Sequence, residues 1–252
     1  MVSKLLTLLS AAPVAYGAAL AATNTNLQTA FPASSGTTAL AAVKTIAASK
    51  SFDGGMIQWD RNPSTCNDQA EGGDADAVFL LEEGAVLSNV IIGPNNGEGV
   101  HCKGTCTLNN VWWTDVCEDA ATFKQTSGTS YVNGGGARGA EDKVLQHNGG
   151  GTVAVKNFWA SNISKLYRSC GNCDKQYARK STFNNIKVSS GKVVAGVNVN
   201  YGDATTISNS CVNGGALCWL YQGNSNGNEP TKVGSAPSGT ACATSAVKTA
   251  SC

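Results

Sequence analysis

Asn89-Val90-Ile91-Ile92-Gly93 is followed 21 positions later by Asn110-Val111-Trp112-Trp113, and the pattern returns at Asn157-Phe158-Trp159, Asn185-Ile186-Lys187-Val188 and Asn209-Ser210-Cys211-Val212. Each begins with Asn and continues as a run too short to show a helical period, which is a strand signal. The successive Asn intervals are 21, 47, 28 and 24 residues, and the double-length one contains its own candidate turn, Tyr131-Val132-Asn133-Gly134. A repeat of about 20–28 residues is that of a solenoid, in which each turn buries its inward face against the turns before and after it. Asn side chains stacked at the corners can then hydrogen-bond from turn to turn. Asn-Gly pairs at Asn96, Asn133, Asn148, Asn213 and Asn226 are also hairpin signals. The repeat weighs more than they do, and the fold expected is all-β, a parallel β-helix rather than a sandwich.

The two ends of such a stack need covering. Leu40, Val43, Ile46 and Ala47 fall at helical spacings behind a possible N-cap at Ser35, so Ser35–Ser49 is expected to form a short amphipathic helix capping the N-terminal end. From Gly223 to Cys252 the composition shifts to Gly, Ser, Asn, Thr and Pro, which reads as an extended tail stapled down by Cys242 and Cys252.

The 252 residues carry a net charge of +1, so nothing global points to nucleic acid or to an anionic membrane. Residues 1–18 read as a secretory signal peptide, with Lys4 in a basic start, Leu5–Leu9 apolar and small residues to Gly17 at the cleavage zone. The apolar run falls short of the roughly 20 residues a spanning helix needs. Residues 19–252 form a single expected domain, with a core over about 31–220 and the tail at 223–252, secreted and extracellular. Ten Cys in a secreted chain favour up to five disulfides. The spacings Cys102-x3-Cys106 and Cys170-x2-Cys173 would suit zinc half-sites in a reducing compartment, but the leader argues for disulfides.

The chemistry concentrates between Gly97 and Lys124, where Glu98, Asp115, Glu118 and Asp119 crowd into a chain of which only 14% is charged. Adjacent carboxylates repel one another unless water, a cation or basic side chains share the site. A hard divalent cation suits such a cluster, and Ca²⁺ takes clustered Asp and Glu oxygens.

Gly99-Val100-His101-Cys102, Val116-Cys117-Glu118-Asp119-Ala120-Ala121-Thr122-Phe123-Lys124, Asp142-Lys143-Val144 and Ser164-Lys165-Leu166-Tyr167-Arg168, in this order, resemble the small secreted pectate lyases of polysaccharide lyase family 3, the fungal members above all. The resemblance runs from about Phe31 to Val212. It implies a right-handed parallel β-helix and Ca²⁺-dependent β-elimination on de-esterified, α-1,4-linked polygalacturonate, leaving a 4,5-unsaturated end. It also implies a monomer whose partner is the pectin polysaccharide. Removal of the weakly acidic C5 proton of a galacturonate needs its carboxylate neutralised and a base close by.

For the metal, the resemblance points to Glu118 and Asp119, to Glu98 where relatives often carry Asp, and to Asp142 for a substrate-bridging second ion. For the base it points to Lys143, Lys165 and Arg168. Lys143 is the expected proton acceptor, its pKa depressed by neighbouring cations. Arg168 then holds the uronate carboxylate with its planar fork while Lys165 adds charge for binding. The opposite allocation, with Arg168 as base, stays open. Lys124 either pairs with Glu118 and Asp119 or binds substrate. His101 reads as a packed strand residue, and Glu71, Asp74 and Asp76 as a solvated acidic loop that could still reach the groove. Trp112, Trp113 and Trp159 read as core aromatics, and Asn162-Ile163-Ser164 is a glycosylation sequon. Two other functions compete: a hydrolase, which would need an acid and a base carboxylate flanking the bond, and a non-catalytic wall-binding protein that kept the fold.

Overall fold

A computed structural model describes residues 23–236 and 239–252; the signal peptide read at 1–18 lies outside them. The chain winds as a parallel β-helix whose strands stack into three sheets. In the first, Thr37–Leu40 lies on residues 58–61, and the pairing continues through 90–92, 111–113, 135–137, 159–161 and 187–189 to 211–213. The second runs from residues 51–53 through Gly151–Lys156 and Arg179–Asn184 to Cys242–Lys248. The third stacks Lys44–Ile46, Phe79–Leu81, Val100–Cys102, Asp119–Phe123, then residues 143–147, 165–169, 193–198 and 216–221.

The Asn repeat marks the corner between the second and first sheets. Asn89, Asn110, Asn157, Asn185 and Asn209 all have φ between 51° and 58°, the left-handed conformation that Asn tolerates best among residues with a Cβ. Asn110 Nδ2 donates to Asn89 Oδ1 at 2.9 Å, and Asn185 Nδ2 to Asn157 Oδ1 at 2.7 Å. In the long interval the corner falls on Gly134, with φ 68°. A Cβ there would lie 2.8 Å from Thr25 Cα, so glycine lets residues 23–25 cross the ladder. That crossing segment is itself held by two ladder residues, Asn89 Nδ2 donating to Thr23 Oγ1 and Asn157 Nδ2 to the carbonyl of Thr25.

Side chains alternate across a strand. In the third sheet this sends Phe79, Val100, Ala121, Leu145, Tyr167, Ala195 and Cys218 inward at 0% exposure, and His101, Thr122, Gln146 and Arg168 to the outer face, one above another. Trp113 is buried in the core, while Trp112, equally buried, packs between Phe31 and Trp159 on the other face of its strand.

Both ends differ from expectation. There is no α-helix among the described residues: Ser35–Ser49 contains two short strands, Thr37–Leu40 and Lys44–Ile46, on the first and third sheets. Leu40 and Ile46 reach the core from different sheets across a corner, which imitates a helical spacing, and Thr37, Thr38, Val43, Thr45 and Ile46 are β-branched. The C-terminal segment is not an extended tail throughout. Thr231–Ala236 pairs antiparallel with residues 218–222 and closes the edge of the third sheet, while Cys242–Lys248 adds a parallel strand that starts on the second sheet and ends on the first. Cys242 and Cys252 do staple it, to Cys218 and Cys211. All ten Cys are paired, Cys102–Cys106 and Cys170–Cys173 among them, so neither short spacing is a zinc half-site.

Candidate active site

The charged residues stand on the outer face of the third sheet and at the corner where it begins, and the register explains why residues far apart in sequence meet there. Asp119 pairs with Lys143 and Lys143 with Lys165, on successive turns; Gln146 pairs with Arg168. A cleft of about 160 Å³ opens above them, lined by Lys143, Lys165, Arg168, Glu71, Tyr221 and Glu229 among others.

Three carboxylates meet at one side. An oxygen from each of Glu71, Glu98 and Glu118 lies within 4.8 Å of the other two. Glu98 and Glu118 are 3% exposed, and Glu118 Oε2 is buried with no hydrogen-bond partner. Desolvation, then the charges of Glu118 and Glu98, push the Glu71 carboxyl up against the opposing charge of Lys143. A buried, unpartnered acceptor amid converging carboxylates is the donor set that a hard, oxygen-loving cation takes, so the residues present fit Ca²⁺. Of the expected ligands, Glu98 and Glu118 belong to this group and Asp119 and Asp142 do not. Burial pushes the Asp119 carboxyl well up despite the charge of Lys143, which lies 3.6 Å away.

Lys143 is 7% exposed and donates to Glu118 Oε1 at 2.7 Å and to Asp142 Oδ2 at 2.8 Å. Desolvation would lower its pKa, but Asp119, Glu118 and Asp142 outweigh it and raise the pKa above the ordinary lysine value. The depressed pKa expected for this residue is therefore not found with the carboxylates uncompensated. Asp142 also accepts from Lys165, and although burial opposes it, the two lysines hold its carboxyl below the usual range.

Arg168 differs in kind. No carboxylate pairs with it among the described residues. Its Nη1 donates to Asn198 Oδ1 at 3.0 Å and to the carbonyl of Ser169, its Nη2 is buried without a partner, and its guanidinium lies 3.9 Å over the Tyr221 ring. Burial lowers its pKa. Asn198 is held in turn, its Nδ2 and backbone N–H donating to Asp203 Oδ2 at 3.1 and 2.8 Å. Gly171 allows the packing, since a Cβ there would lie 2.3 Å from both Arg168 Nη2 and Pro230 Cγ.

His101, as expected, is a packed strand residue, but it also bridges the acidic loop to the cluster. Its Nε2 lies 2.9 Å from Glu98 Oε2 and its Nδ1 2.8 Å from Asp74 Oδ1. Lys124 donates to Asp74 Oδ1 at 2.7 Å, so its carboxylate partner is Asp74 and not Glu118 or Asp119. Lys103 takes the other Asp74 oxygen, and these three hydrogen bonds hold the Asp74 carboxyl far below its usual value although burial opposes them. The Cys66–Cys117 disulfide ties the loop carrying Glu71 and Asp74 to the turn before Glu118. Sequence reasoning left Glu71, Tyr221 and Asn198 out of the site. Only Glu71 had a signal, its acidic surroundings.

A pectate lyase family model matches residues 28–228. The chain is 51% identical over 210 residues to the probable pectate lyase E of Neosartorya fischeri and 50% identical over 210 residues to pectate lyase E of Emericella nidulans, each match covering 82% of both chains. Its fold is similar to the crystal structure of the catalytic domain of pectate lyase PelI from Erwinia chrysanthemi, with TM-score 0.69 and 29% identity over 86% of this chain and 98% of that one. PelI in complex with tetragalacturonic acid matches with TM-score 0.68 and 30% identity, over 86% of this chain and 71% of that one.

Proposed function

Since the chain belongs to the pectate lyase family, we propose that this cleft binds de-esterified polygalacturonate and breaks its α-1,4 links by Ca²⁺-assisted β-elimination. The observation that carries the reading is the convergence of Lys143, Lys165 and Arg168, from two neighbouring turns, on a cleft lined by Glu71, whose carboxylate meets those of Glu98 and Glu118. Glu71, Glu98 and Glu118 would hold the ion, with Asp119 behind them and Asp142 at a second, substrate-bridging position. When bound, Ca²⁺ would neutralise the uronate carboxylate beside the C5–H bond and offset the carboxylate charge that keeps Lys143 protonated.

Lys143 Nζ then takes the C5 proton as a neutral amine. The C5–H electron pair becomes the C4=C5 double bond as the C4–O bond breaks, and the leaving oxygen takes up a proton. Arg168, with its free Nη2 and fixed Nη1, holds the uronate carboxylate where charge develops. Lys165 adds binding charge at the neighbouring position. A second reading, with Arg168 as the base, is favoured by one observation: it is the cation of the cleft with no carboxylate partner, and burial lowers its pKa. A hydrolase would need a carboxylic acid and a carboxylate flanking the bond, and the cations at the centre of this cleft oppose it.

The same reading has the chain secreted behind residues 1–18 and acting outside the cell as a monomer on pectin, a location supported by the pairing of every Cys. No helix among the described residues is long and apolar enough to cross a membrane.

The test is the ultraviolet absorbance of the conjugated C4=C5 product on polygalacturonate, with Ca²⁺ and with a chelator. Lys143→Ala should lower kcat by about 10²–10⁴, the usual worth of a general base, with KM little changed. Arg168→Ala should mainly raise KM. The reverse pattern assigns the base to Arg168; reducing ends without absorbance would overturn the elimination.

A further inference from the structure

We propose that Asn162 is an N-glycosylation site, its glycan seated in a groove at the corner between the first and third sheets, beside the uronate cleft and outside it. Asn162-Ile163-Ser164 is the one Asn-x-Ser/Thr sequence in the chain with x other than Pro. Such a motif is a site only if the folded surface accepts a bulky polar group there, and the corner is built to do so.

Asn162 is exposed and has φ 53°, the conformation of the ladder Asn residues. Two pairs of ladder residues join through their amides, Asn110 donating to Asn89 and Asn185 to Asn157. Asn162 has no such neighbour. The pairings Ser161↔Arg138 and Ile163↔Ala140 set it level with Gly139 on one side, and Ser161↔Ser189 and Ile163↔Gly191 level with Ser190 on the other. Both neighbours also have positive φ, 74° and 58°, and neither carries an amide. The Asn162 side chain makes no hydrogen bond among the described residues, and it borders a groove of about 630 Å³ with Asp115, Glu141, Ser190 and Lys192. That lining is polar, as a sugar requires, and it shares no residue with the cleft around Lys143 and Arg168. A glycan here coats the corner without entering the catalytic cleft, although Lys165 is only three residues away.

The modification is a group transfer from a polyprenyl-diphosphate-linked oligosaccharide in the secretory lumen. The Asn162 amide nitrogen forms a bond to C1 of the first N-acetylglucosamine as the C1–O bond to the diphosphate breaks. The polyprenyl diphosphate leaves with the electron pair, and the amide loses one proton.

The proposal needs passage through that lumen, which the experiment supplies independently of residues 1–18. The full chain is expressed in yeast behind a host secretion leader and recovered from the medium and from microsomes. It is then treated with peptide N-glycosidase in ¹⁸O-water and analysed by peptide mass spectrometry. The expected result is an ¹⁸O-labelled Asp at position 162 and a mobility shift on deglycosylation, kept in Ser164→Thr and lost in Asn162→Gln and Ser164→Ala, with lyase activity on polygalacturonate unchanged in Asn162→Gln. An unmodified Asn162 peptide from lumenal or secreted wild-type protein overturns the site, whatever the lyase assay reads.

Discussion

Acidification from pH 7 to pH 4 should remove about 3 kcal/mol of stability through one buried residue, His147. The ring is 0% exposed, packed edge-on against Phe123 and Tyr167. Its Nε2 lies 3.0 Å from the carbonyl of Gly150, which can only accept, so Nε2 carries the proton. Nδ1 is then bare and accepts the Tyr167 hydroxyl at 2.9 Å. Burial dominates and lowers the pKa from 6.5 to about 4, against the Gly150 hydrogen bond. Because the folded pKa lies below the unfolded one, the unfolded chain binds the extra proton first. The contribution is fully present above pH 6.5 and is lost as pH falls toward 4. At about 1.4 kcal/mol per tenfold difference in proton affinity, the loss is about 2 kcal/mol by pH 5 and about 3 kcal/mol by pH 4. Glu71 and Asp119, whose pKa values are raised, push the other way, and Asp74 and Asp142, whose values are lowered, act at lower pH. The measurement is therefore a difference: urea midpoints of wild type and His147→Gln, disulfides intact, at pH 7, 5 and 4. Gln is less stable at pH 7, and the gap should shrink by about 3 kcal/mol on acidification. Curves that stay parallel would refute the buried neutral imidazole.

Three further perturbations separate the parts of the molecule. Glu71→Gln should weaken Ca²⁺ binding about tenfold or more, read by calorimetry without substrate, because one of three converging charges is gone; unchanged affinity would remove Glu71 from the ligand set. Asn198→Ala deletes the acceptor of Arg168 Nη1 and should raise KM for polygalacturonate about 5–30-fold, the equivalent of 1–2 kcal/mol, with the Ca²⁺ affinity unmoved. A rise in KM together with a loss of Ca²⁺ affinity would mark a structural collapse instead. Asn110→Ala loses the bond to Asn89 and the acceptor of Trp112 Nε1 at 2.7 Å and leaves a Cβ in a left-handed conformation that Ala tolerates less well than Asn. Asn110→Gly loses only the bonds, so it should be more stable than the alanine variant by about 1–2 kcal/mol in urea unfolding, and equal midpoints would deny the backbone contribution.

What could be read from the chain and what could not divide along a physical line. The Asn corners were legible because a corner is a local event: one residue in a left-handed conformation, recurring at the length of a turn, writes its period directly into the sequence. Lys143, Lys165 and Arg168 were legible by their place in motifs, and stacking made their meeting automatic, since residues one turn apart must lie side by side. The ends were not legible. Whether Leu40 and Ile46 sit on one helix or on two sheets is decided by which strands lie beneath them, and the spacing of apolar residues is the same for both. The carboxylate group was half legible for a related reason. Glu98 and Glu118 come from consecutive turns, but Glu71 arrives on a loop fixed by Cys66–Cys117, and Asp74 on that loop, not Glu118, takes Lys124. Loop position depends on a covalent tie that no periodicity encodes. The cleft is therefore assembled from two sources: a rigid ladder that sets the spacing of the cations, and a tethered acidic loop that completes the carboxylate group. Cleavage of that tether should impair ion binding before it impairs the placing of Lys143, because Lys143 stands on the ladder alone.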